Sequence, residues 1–324
     1  QLVPDIFRQL KKIIDNNRMA GKDINGRYLL TGSSNVKTVP ELSDALVGRV
    51  LLIPLFPFSS GEICKTNGNF VLSVFNKSDS FQYPDTIKYT LKDMIREATF
   101  PEISINKSIN VNVWFESYIN TLLYRDLRNI SQIEKLHELP KLLKVLAAQS
   151  GGILNDASLA RSTGLNQMTL KRYRSLLQNV FLCMFIPPWY ANIGKRLVKS
   201  AKIYFIDTLL LTYLQGYNIE TIESVNPVLW GFVFENFVAS ELAKQLSLLD
   251  DGKLYHFRTS DDKEVDFVIE KRSGDIAGFE VKNSASVGAN DFRGLKFLQS
   301  VVQEKFIRGI VLYRGKKILP LDRK

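Results

Sequence analysis

Cysteine and histidine are scarce in this sequence, and their scarcity excludes several kinds of site. The 324 residues include two Cys and two His. Two thiols cannot build a disulfide framework or a Cys-based zinc site, and two imidazoles cannot supply a site with several His ligands. Any catalytic metal would therefore have to bind carboxylates, which favours a hard ion such as Mg²⁺.

The sequence also lacks long apolar runs and a signal peptide. No apolar run approaches the ~18–20 residues that cross a bilayer, and the first residues, QLVPDIFRQLKKIID, are not typical of a signal peptide. Hydrophobic residues make up 45% of the chain and charged residues 23%. We therefore predict a cytoplasmic protein of about two or three globular domains, with no membrane partner.

Acidic residues are missing from one stretch of the chain. Overall there are 43 Lys and Arg against 33 Asp and Glu, a net charge of +10. Residues 157–206 contain no Asp or Glu, although about five would be expected from the average over the chain. The same stretch contains eight basic residues: Arg161, Lys171, Arg172, Arg174, Lys195, Arg196, Lys199 and Lys202. A surface of one charge sign attracts phosphates, so we predict nucleic acid as the partner.

Two apolar runs near the N-terminus are typical of buried parallel strands. Residues 27–35 (RYLLTGSSN) end in small hydroxyl residues, and residues 50–56 (VLLIPLF) are followed by Pro57. Helices are predicted over residues 5–18 and 42–47. The pattern predicts an α-β-α-β segment that forms part of an α/β sheet.

The middle of the chain is predicted to be mainly helical. A loop and hairpin region is predicted at residues 65–80, and helices at 87–98 and 114–130. The segments ELPKLLKVLAAQ, DASLARSTG and QMTLKRYRSLLQ predict three more helices, and VFLCMFIPP predicts a strand. Gly164 would end the second of these helices and Asn166 would cap the third. This is the order of a winged helix-turn-helix module.

The third of these helices would be the recognition helix that meets DNA. The candidate nucleic-acid contacts are Lys171, Arg172, Arg174, Lys195, Arg196 and Lys199. In the alternative interpretation, the module packs on neighbouring domains and does not touch DNA.

The C-terminal third has a different order of elements. WGFVFENFVASELAKQL predicts a helix, and LYHFRT, EVDFVIE and IAGFEVKN predict three strands. A helix over residues 290–303 and a strand over FIRGIVLYR complete an α-β-β-β-α-β order. If the apolar positions of the second and third strands pair, Asp266 lies opposite Glu280 and Glu264 lies opposite Lys282.

Two facing carboxylates beside a lysine are the minimal arrangement for a divalent metal that activates water for phosphodiester attack. Lys282 would orient or deprotonate the water, or stabilise developing negative charge. In the alternative interpretation, Glu264 and Lys282 form a plain cross-strand ion pair on a solvated face.

The order and spacing of these elements resemble the PD-(D/E)xK nuclease core. The Asp, the Glu-x-Lys about a dozen residues later, and an acid on the preceding helix match Asp266, Glu280, Lys282 and Glu235. The resemblance implies that Asp266 and Glu280 bind the metal, that Lys282 is catalytic and that Glu235 assists. It also implies a restriction-endonuclease-like fold.

Over almost its entire length the chain resembles the bacterial and archaeal AAA-type ATPases with a C-terminal domain of unknown function. The motifs that carry the resemblance are RYLLTGSSN, ELSDALVGRVLLIPLFPFSSGEI, ATFPEI, WFESYINTLLYRDLRNI, NIGKRLVKSAKIYFIDT, VLWGFVFENFVASEL, FRTSDDKEVDFVIE and GFEVKNS, in that order. The resemblance implies an ATPase core, a winged-helix region and a nuclease-like end.

The phosphate-binding loop of such ATPases is missing from these residues. No G-x-x-x-x-G-K-[S/T] occurs among them, and without it nothing cradles the phosphates. We therefore expect a truncated gene product or a fragment that binds ATP only together with the missing segment. Thr31, Ser33 and Ser34 resemble the family's sensor residues and Arg49 its arginine finger. For this chain, however, we favour the alternative interpretation, in which these are ordinary strand-end caps and a surface Arg.

The sequence thus predicts an α/β multidomain protein with a partial P-loop ATPase core. The predicted regions are a core remnant at 1–62, a hairpin and helical connection at 63–135, a winged helix-turn-helix at 136–218 and a PD-(D/E)xK nuclease-like domain at 219–324. Nucleic-acid binding with Mg²⁺-dependent cleavage is the leading functional hypothesis. The alternative is a non-catalytic DNA-binding or protein-interaction module.

Overall fold

The computed structural model shows a mixed α/β protein with two sheets and many helices. It describes residues 5–23, 25–32, 48–66, 68–76, 89–126, 136–192, 194, 196, 200–249 and 251–320. The α-helices are α1 (Asp5–Met19), α2 (Ser60–Ile63), α3 (Phe70–Phe75), α4 (Leu91–Glu97), α5 (Pro101–Ile105), α6 (Val111–Thr121), α7 (Leu139–Ala148), α8 (Asp156–Thr163), α9 (Gln167–Asn179), α10 (Thr208–Leu214), α11 (Ile222–Val225), α12 (Pro227–Ser247) and α13 (Arg293–Val302). The strands are β1 (Cys183–Ile186), β2 (Lys202–Phe205), β3 (Lys253–Arg258), β4 (Glu264–Glu270), β5 (Ile276–Lys282) and β6 (Phe306–Tyr313). None of the helices in these ranges is long and apolar enough to cross a membrane.

The N-terminal region confirms the first predicted helix, but the described parts of the two predicted strands, residues 27–32 and 50–56, are not strands. Leu29, Leu51 and Leu55 are 89%, 82% and 95% exposed. An apolar run becomes a buried strand only where neighbouring strands pair with its backbone and helices cover its faces, and no described strand lies beside these residues. The predicted helix at 42–47 lies outside the described residues.

The connecting region is helical where a hairpin was predicted. Helix α3 occupies Phe70–Phe75, capped by the Asn69 side chain, which accepts a hydrogen bond from the Leu72 amide. Its buried residues Val71 and Val74 pack against α12 and the large sheet. This segment is therefore a short amphipathic helix, with Val71 and Val74 on its buried face. Further on, α4 and α6 confirm the two helices predicted for this region.

The middle region has the predicted order of three helices followed by a strand. Gly164 ends α8 in the left-handed conformation, and the Asn166 side chain caps α9 by accepting from the Thr169 amide. β1 pairs with β2 in an antiparallel hairpin, and Ile153 forms a further bridge to Lys202. The apolar faces of α7, α8 and α9 share one core with α6 and α10.

The C-terminal sheet has the strand order β3-β4-β5-β6, with β5 and β6 parallel. The pair Phe267↔Phe279 confirms the predicted hairpin register. Phe267 and Phe279 pack with α12 on one face, and Val268 packs with α13 on the other. Helix α13 comes so close to β4 that a Cβ on Gly294 would lie 1.8 Å from the Glu264 carbonyl oxygen.

The small hairpin and the large sheet are joined through α12. The Asn236 side chain is fully buried and makes four hydrogen bonds. Its Oδ1 accepts from the Phe205 amide at 2.7 Å and from Ser150 at 3.1 Å. Its Nδ2 donates to the Phe205 carbonyl at 3.1 Å and to Thr208 at 3.0 Å. These bonds fix the end of β2 against the middle of α12.

Candidate active site in the C-terminal domain

Strands β4 and β5 bring Asp266 and Glu280 together. Continuing the register from Phe267↔Phe279 places the two carboxylates opposite each other. The amide of Val281, the residue after Glu280 in β5, donates to Asp266 Oδ2 at 2.8 Å. Only 8% of Asp266 and 9% of Glu280 is exposed. The face of β4 and β5 that carries these two carboxylates, predicted to be polar, is therefore buried and not open to solvent.

A β-bulge in β4 lies beside Asp266. Tyr255 pairs with Val268, whereas Phe257 pairs with Val265, so β4 gains one residue against β3 at this point. Bulges bend a strand and re-aim its side chains, and they are common next to active sites. The alternation of the sequence does not reveal this extra residue.

Glu280 has one bonded oxygen and one unpartnered oxygen. Lys282 Nζ donates to Glu280 Oε1 at 2.7 Å, while Glu280 Oε2 is buried without a hydrogen-bond partner. Burial, together with the nearby charge of Asp266, raises the pKa of Glu280 to about 7. A buried carboxylate oxygen without a partner is costly, and a cation or an ordered water at this point would relieve the cost.

Lys202 is a member of the site that the sequence pattern does not indicate. Its Nζ lies 2.6 Å from Glu264 Oε1, 3.2 Å from Glu235 Oε1 and 3.5 Å from Asp266 Oδ1. Only 4% of the Lys202 side chain is exposed. Burial alone would lower the pKa of Lys202, but the surrounding carboxylates, Glu235 foremost, raise it. Lys202 is therefore charged at neutral pH.

Tyr204, two residues along β2, faces the same site. Its hydroxyl donates to Glu235 Oε1 at 2.5 Å. Burial, followed by the charge of Asp266, raises the pKa of Glu235 to about 7. The sequence does indicate that Lys202 and Tyr204 lie on the same face of β2, because they are two positions apart in the strand KIYF. It does not indicate which residues that face contacts.

The carboxylates of the site carry more charge than the cations beside them. Four carboxylates (Glu235, Glu264, Asp266 and Glu280) face two ammonium groups (Lys202 and Lys282) and the guanidinium of Arg258, which lies 3.9 Å from Glu264. When all are ionised, one negative charge stays uncompensated. Within the described part of the chain, no group of three or more His, Cys, Asp or Glu is arranged to hold a metal. A divalent ion between Asp266 and Glu280 would meet Glu280 Oε2, which has no hydrogen-bond partner, whereas both oxygens of Asp266 already have partners in Lys202 and the Val281 amide.

The six predicted nucleic-acid residues fall into three groups: two are exposed, two form ion pairs and two lie outside the described residues. Lys171 and Arg172 are exposed on α9. Arg174 is paired with Asp156 and lies over the Phe185 ring. Arg196 is paired with Glu270 and lies over the rings of two aromatic residues. Lys195 and Lys199 lie outside the described residues.

Of the residues that resemble ATPase sensor and finger positions, the structure describes Thr31 and Arg49. Arg49 pairs with Asp15 of α1, with the two atoms Nε and Oδ1 2.7 Å apart. Thr31 is exposed and outside any strand. Ser33 and Ser34 lie outside the described residues.

His256 makes the stability of this domain sensitive to acid. It lies in β3, 2% exposed, with Nε2 3.3 Å from the Ser200 carbonyl oxygen and with Nδ1 buried and unpartnered. Burial, followed by repulsion from Lys202, lowers the pKa of His256 to about 4. Unfolded His titrates near 6.5, so the unfolded state takes up this proton first as the pH falls.

We therefore expect His256 to destabilise the protein by about 2–3 kcal/mol between pH 7 and pH 4.5. The raised pKa values of Glu235 and Glu280 act in the opposite direction between about pH 7 and pH 4.5, so the His256 contribution must be measured by difference. Urea unfolding of wild type and His256→Gln at both pH values gives that difference. Equal losses of unfolding free energy in the two proteins would contradict the expectation.

Comparisons with known proteins support the general assignment. Residues 1–64 match an AAA domain, residues 89–221 match a domain of unknown function (DUF8612) and residues 230–324 match another domain of unknown function (DUF4143). The chain is similar to two uncharacterized proteins, one from Mycobacterium bovis and one from Mycobacterium tuberculosis. Each is 30% identical over 322 residues.

These alignments cover 99% of this chain and 65% of each mycobacterial protein, so the chain spans less than two thirds of the length of these curated relatives. No solved structure matches the chain significantly. Together the matches support an AAA-type ATPase-like family that carries domains of unknown function.

Proposed function

We propose that this ATPase-derived protein binds nucleic acid and that its C-terminal domain cleaves phosphodiester bonds with a divalent metal. The AAA-domain match supports the descent from an ATPase. The observation that carries the cleavage proposal is the buried pair Asp266 and Glu280, with its unpartnered oxygen and with Lys282 hydrogen-bonded alongside. The resemblance of these residues to the PD-(D/E)xK pattern supports the same reaction.

Each residue of the site has a separate role in the proposed reaction. Asp266 and Glu280 would hold Mg²⁺, which supplies polarisation of the scissile phosphate and an acidified water. Lys282 is one-third exposed, so its ammonium reaches solvent and an incoming phosphate. Burial would lower the pKa of Lys282, but the neighbouring carboxylates, Glu280 foremost, raise it. A charged lysine stabilises negative charge and orients water, and this favours both roles over proton abstraction.

Cleavage of labelled DNA and RNA by the purified protein tests the proposal. We expect cleavage with Mg²⁺ or Mn²⁺ and none after chelation, because the carboxylates need the ion to act on a phosphate. Absence of cleavage on either polymer under all metal conditions would contradict it.

A non-catalytic DNA-binding or protein-interaction module is the second candidate, and one observation favours it. The Lys202 ammonium already neutralises part of the acidic site. Binding of nucleic acid without cleavage, unchanged by metal or chelator, would support this candidate.

Nucleic-acid binding through α9 predicts a specific effect of charge reversal. The double substitution Lys171→Glu and Arg172→Glu should weaken binding roughly tenfold or more and reduce the salt slope by about two, because two phosphate contacts are lost. Arg174 is left unchanged because its ion pair with Asp156 joins α9 to α8. Fluorescence anisotropy against salt concentration measures both quantities.

A matched control is the substitution of Lys144→Glu and Lys296→Glu. Both lysines are exposed, on α7 and α13, and the pair changes the net charge equally. If this control weakens binding as much as the α9 variant, the effect belongs to the overall charge and not to α9.

A further inference from the structure

The cation inside the acidic site comes from another region of the chain. Glu235 lies on α12, and Glu264 and Asp266 lie on β4, whereas Lys202 is the first residue of β2 in the small hairpin. Its ammonium is 2.6–3.5 Å from one oxygen of each carboxylate. All three are hydrogen-bond distances; those to Glu235 and Asp266, 3.2 and 3.5 Å, exceed the ~2.0–2.6 Å of a metal–oxygen bond, and the 2.6 Å to Glu264 lies at its upper limit. The three carboxylates therefore surround a position shaped for an ammonium.

Several contacts hold Lys202 in this position. β2 pairs with β1 from Cys183↔Phe205 to Ile186↔Lys202, and Asn236 binds the backbone of Phe205 at the other end of the strand. The Tyr204 hydroxyl bonds to Glu235 beside the ammonium. A lysine with its backbone fixed and its side chain 4% exposed has no route to solvent in this conformation.

We propose that the Lys202 ammonium is a permanent cation of the site and takes the place that a second divalent ion would otherwise occupy. The site is then built for one metal ion, at Asp266 and Glu280, with the β1–β2 hairpin as a structural part of it. Lys202 is a positioning residue, because it acts through the three carboxylates that it contacts and spaces. Its relevance to cleavage rests on the proposed function, but its test does not require cleavage.

The substitution Lys202→Met tests this directly. Met has a similar length and no charge, so three carboxylates are left around an unfilled position and should recruit a divalent ion. We expect wild type to bind one Mn²⁺ and the variant to bind two, counted by calorimetry and by electron paramagnetic resonance. Lys271→Met is the matched control, since Lys271 pairs with Asp251 away from the site, and this variant should bind one ion.

The outcomes separate this inference from the proposed function. No ion in wild type and one in Lys202→Met would contradict the metal site at Asp266 and Glu280 but support the role of Lys202. Equal numbers of ions in wild type and Lys202→Met would overturn the inference.

Thermal unfolding covers the case in which Lys202→Met folds poorly. Mn²⁺ at about 100 times its dissociation constant should raise the melting temperature of Lys202→Met by about 5 °C more than that of wild type, because the ion binds the folded state. Lys202→Gln, which keeps a polar side chain of lower volume, is measured in parallel. If Mn²⁺ gives neither variant this additional stabilisation, the ion cannot take the position of the ammonium, and the inference fails.

Discussion

Replacing Asp266 with Asn should abolish metal binding at Asp266 and Glu280 and reduce cleavage by about 10³-fold or more. The amide keeps an oxygen that accepts from the Val281 amide, a bond of 2.8 Å in the native protein. It carries no negative charge, so it ligates a divalent ion poorly. The fold should survive at some cost while the site is lost, because the Val281 amide keeps its acceptor but the Asn NH2 group takes the place of the oxygen that faces Lys202 at 3.5 Å. Asp266→Ala is the poorer test because it would leave the buried Val281 amide without its acceptor.

The matched control for this substitution is Asp262→Asn. The Asp262 side chain is 80% exposed, and its backbone has a positive φ of 56° that Asn accepts well. The control should retain metal binding and cleavage. Calorimetric titration with Mn²⁺ and single-turnover cleavage measure both proteins. Undiminished cleavage by Asp266→Asn would mean that Asp266 is not part of the reaction.

Replacing Asn236 with Leu should lower the free energy of unfolding by about 3–5 kcal/mol. Leu is of similar size but leaves the amide and carbonyl of Phe205 without the partners that Asn236 supplies. Each buried polar group that loses its partner costs about 1–3 kcal/mol. The loss is large because all four bonds of one fully buried side chain disappear together.

Urea unfolding of Asn236→Leu measures this loss. Asn112→Leu is the control, since Asn112 is exposed on α6 and its replacement should change the free energy by less than about 0.5 kcal/mol. A change of similar size in both variants would show that the buried network contributes little.

The order of elements and the hairpin register of the C-terminal domain could be predicted because both depend on local alternation. Val265, Phe267 and Ile269 repeat with the period of a strand, and pairing them with the apolar set of β5 leaves one register. The sequence alone could not show whether residues 27–35 and 50–56 form strands. An apolar run specifies burial, but whether a neighbouring strand is present depends on the rest of the fold.

The site could be predicted only in part, since its missing members are tertiary contacts. Asp266, Glu280 and Lys282 belong to one hairpin, so their spacing is visible in the sequence. Lys202 comes from a strand more than sixty residues away, and its ion pairs depend on how β2 docks on α12.

The same limit applies to the stretch without acids. Its lack of Asp and Glu predicts a surface of one charge sign, yet three of its basic residues have acidic partners outside the stretch. Arg174 pairs with Asp156, Arg196 with Glu270 and Lys202 with three carboxylates. Part of the charge imbalance in the sequence is thus resolved by contacts between regions.

The position of Lys202 also restricts how this architecture can change in evolution. Residues 89–221 and 230–324 match separate family models. Two such units could be exchanged separately by recombination. The site crosses that boundary, since Lys202 lies in the first unit and Glu235, Glu264 and Asp266 lie in the second. A recombinant that took the second unit alone would inherit an acidic cluster without its lysine. Homologues that lose the lysine should therefore also have lost at least one of the three carboxylates, so that the charges in the two units change together.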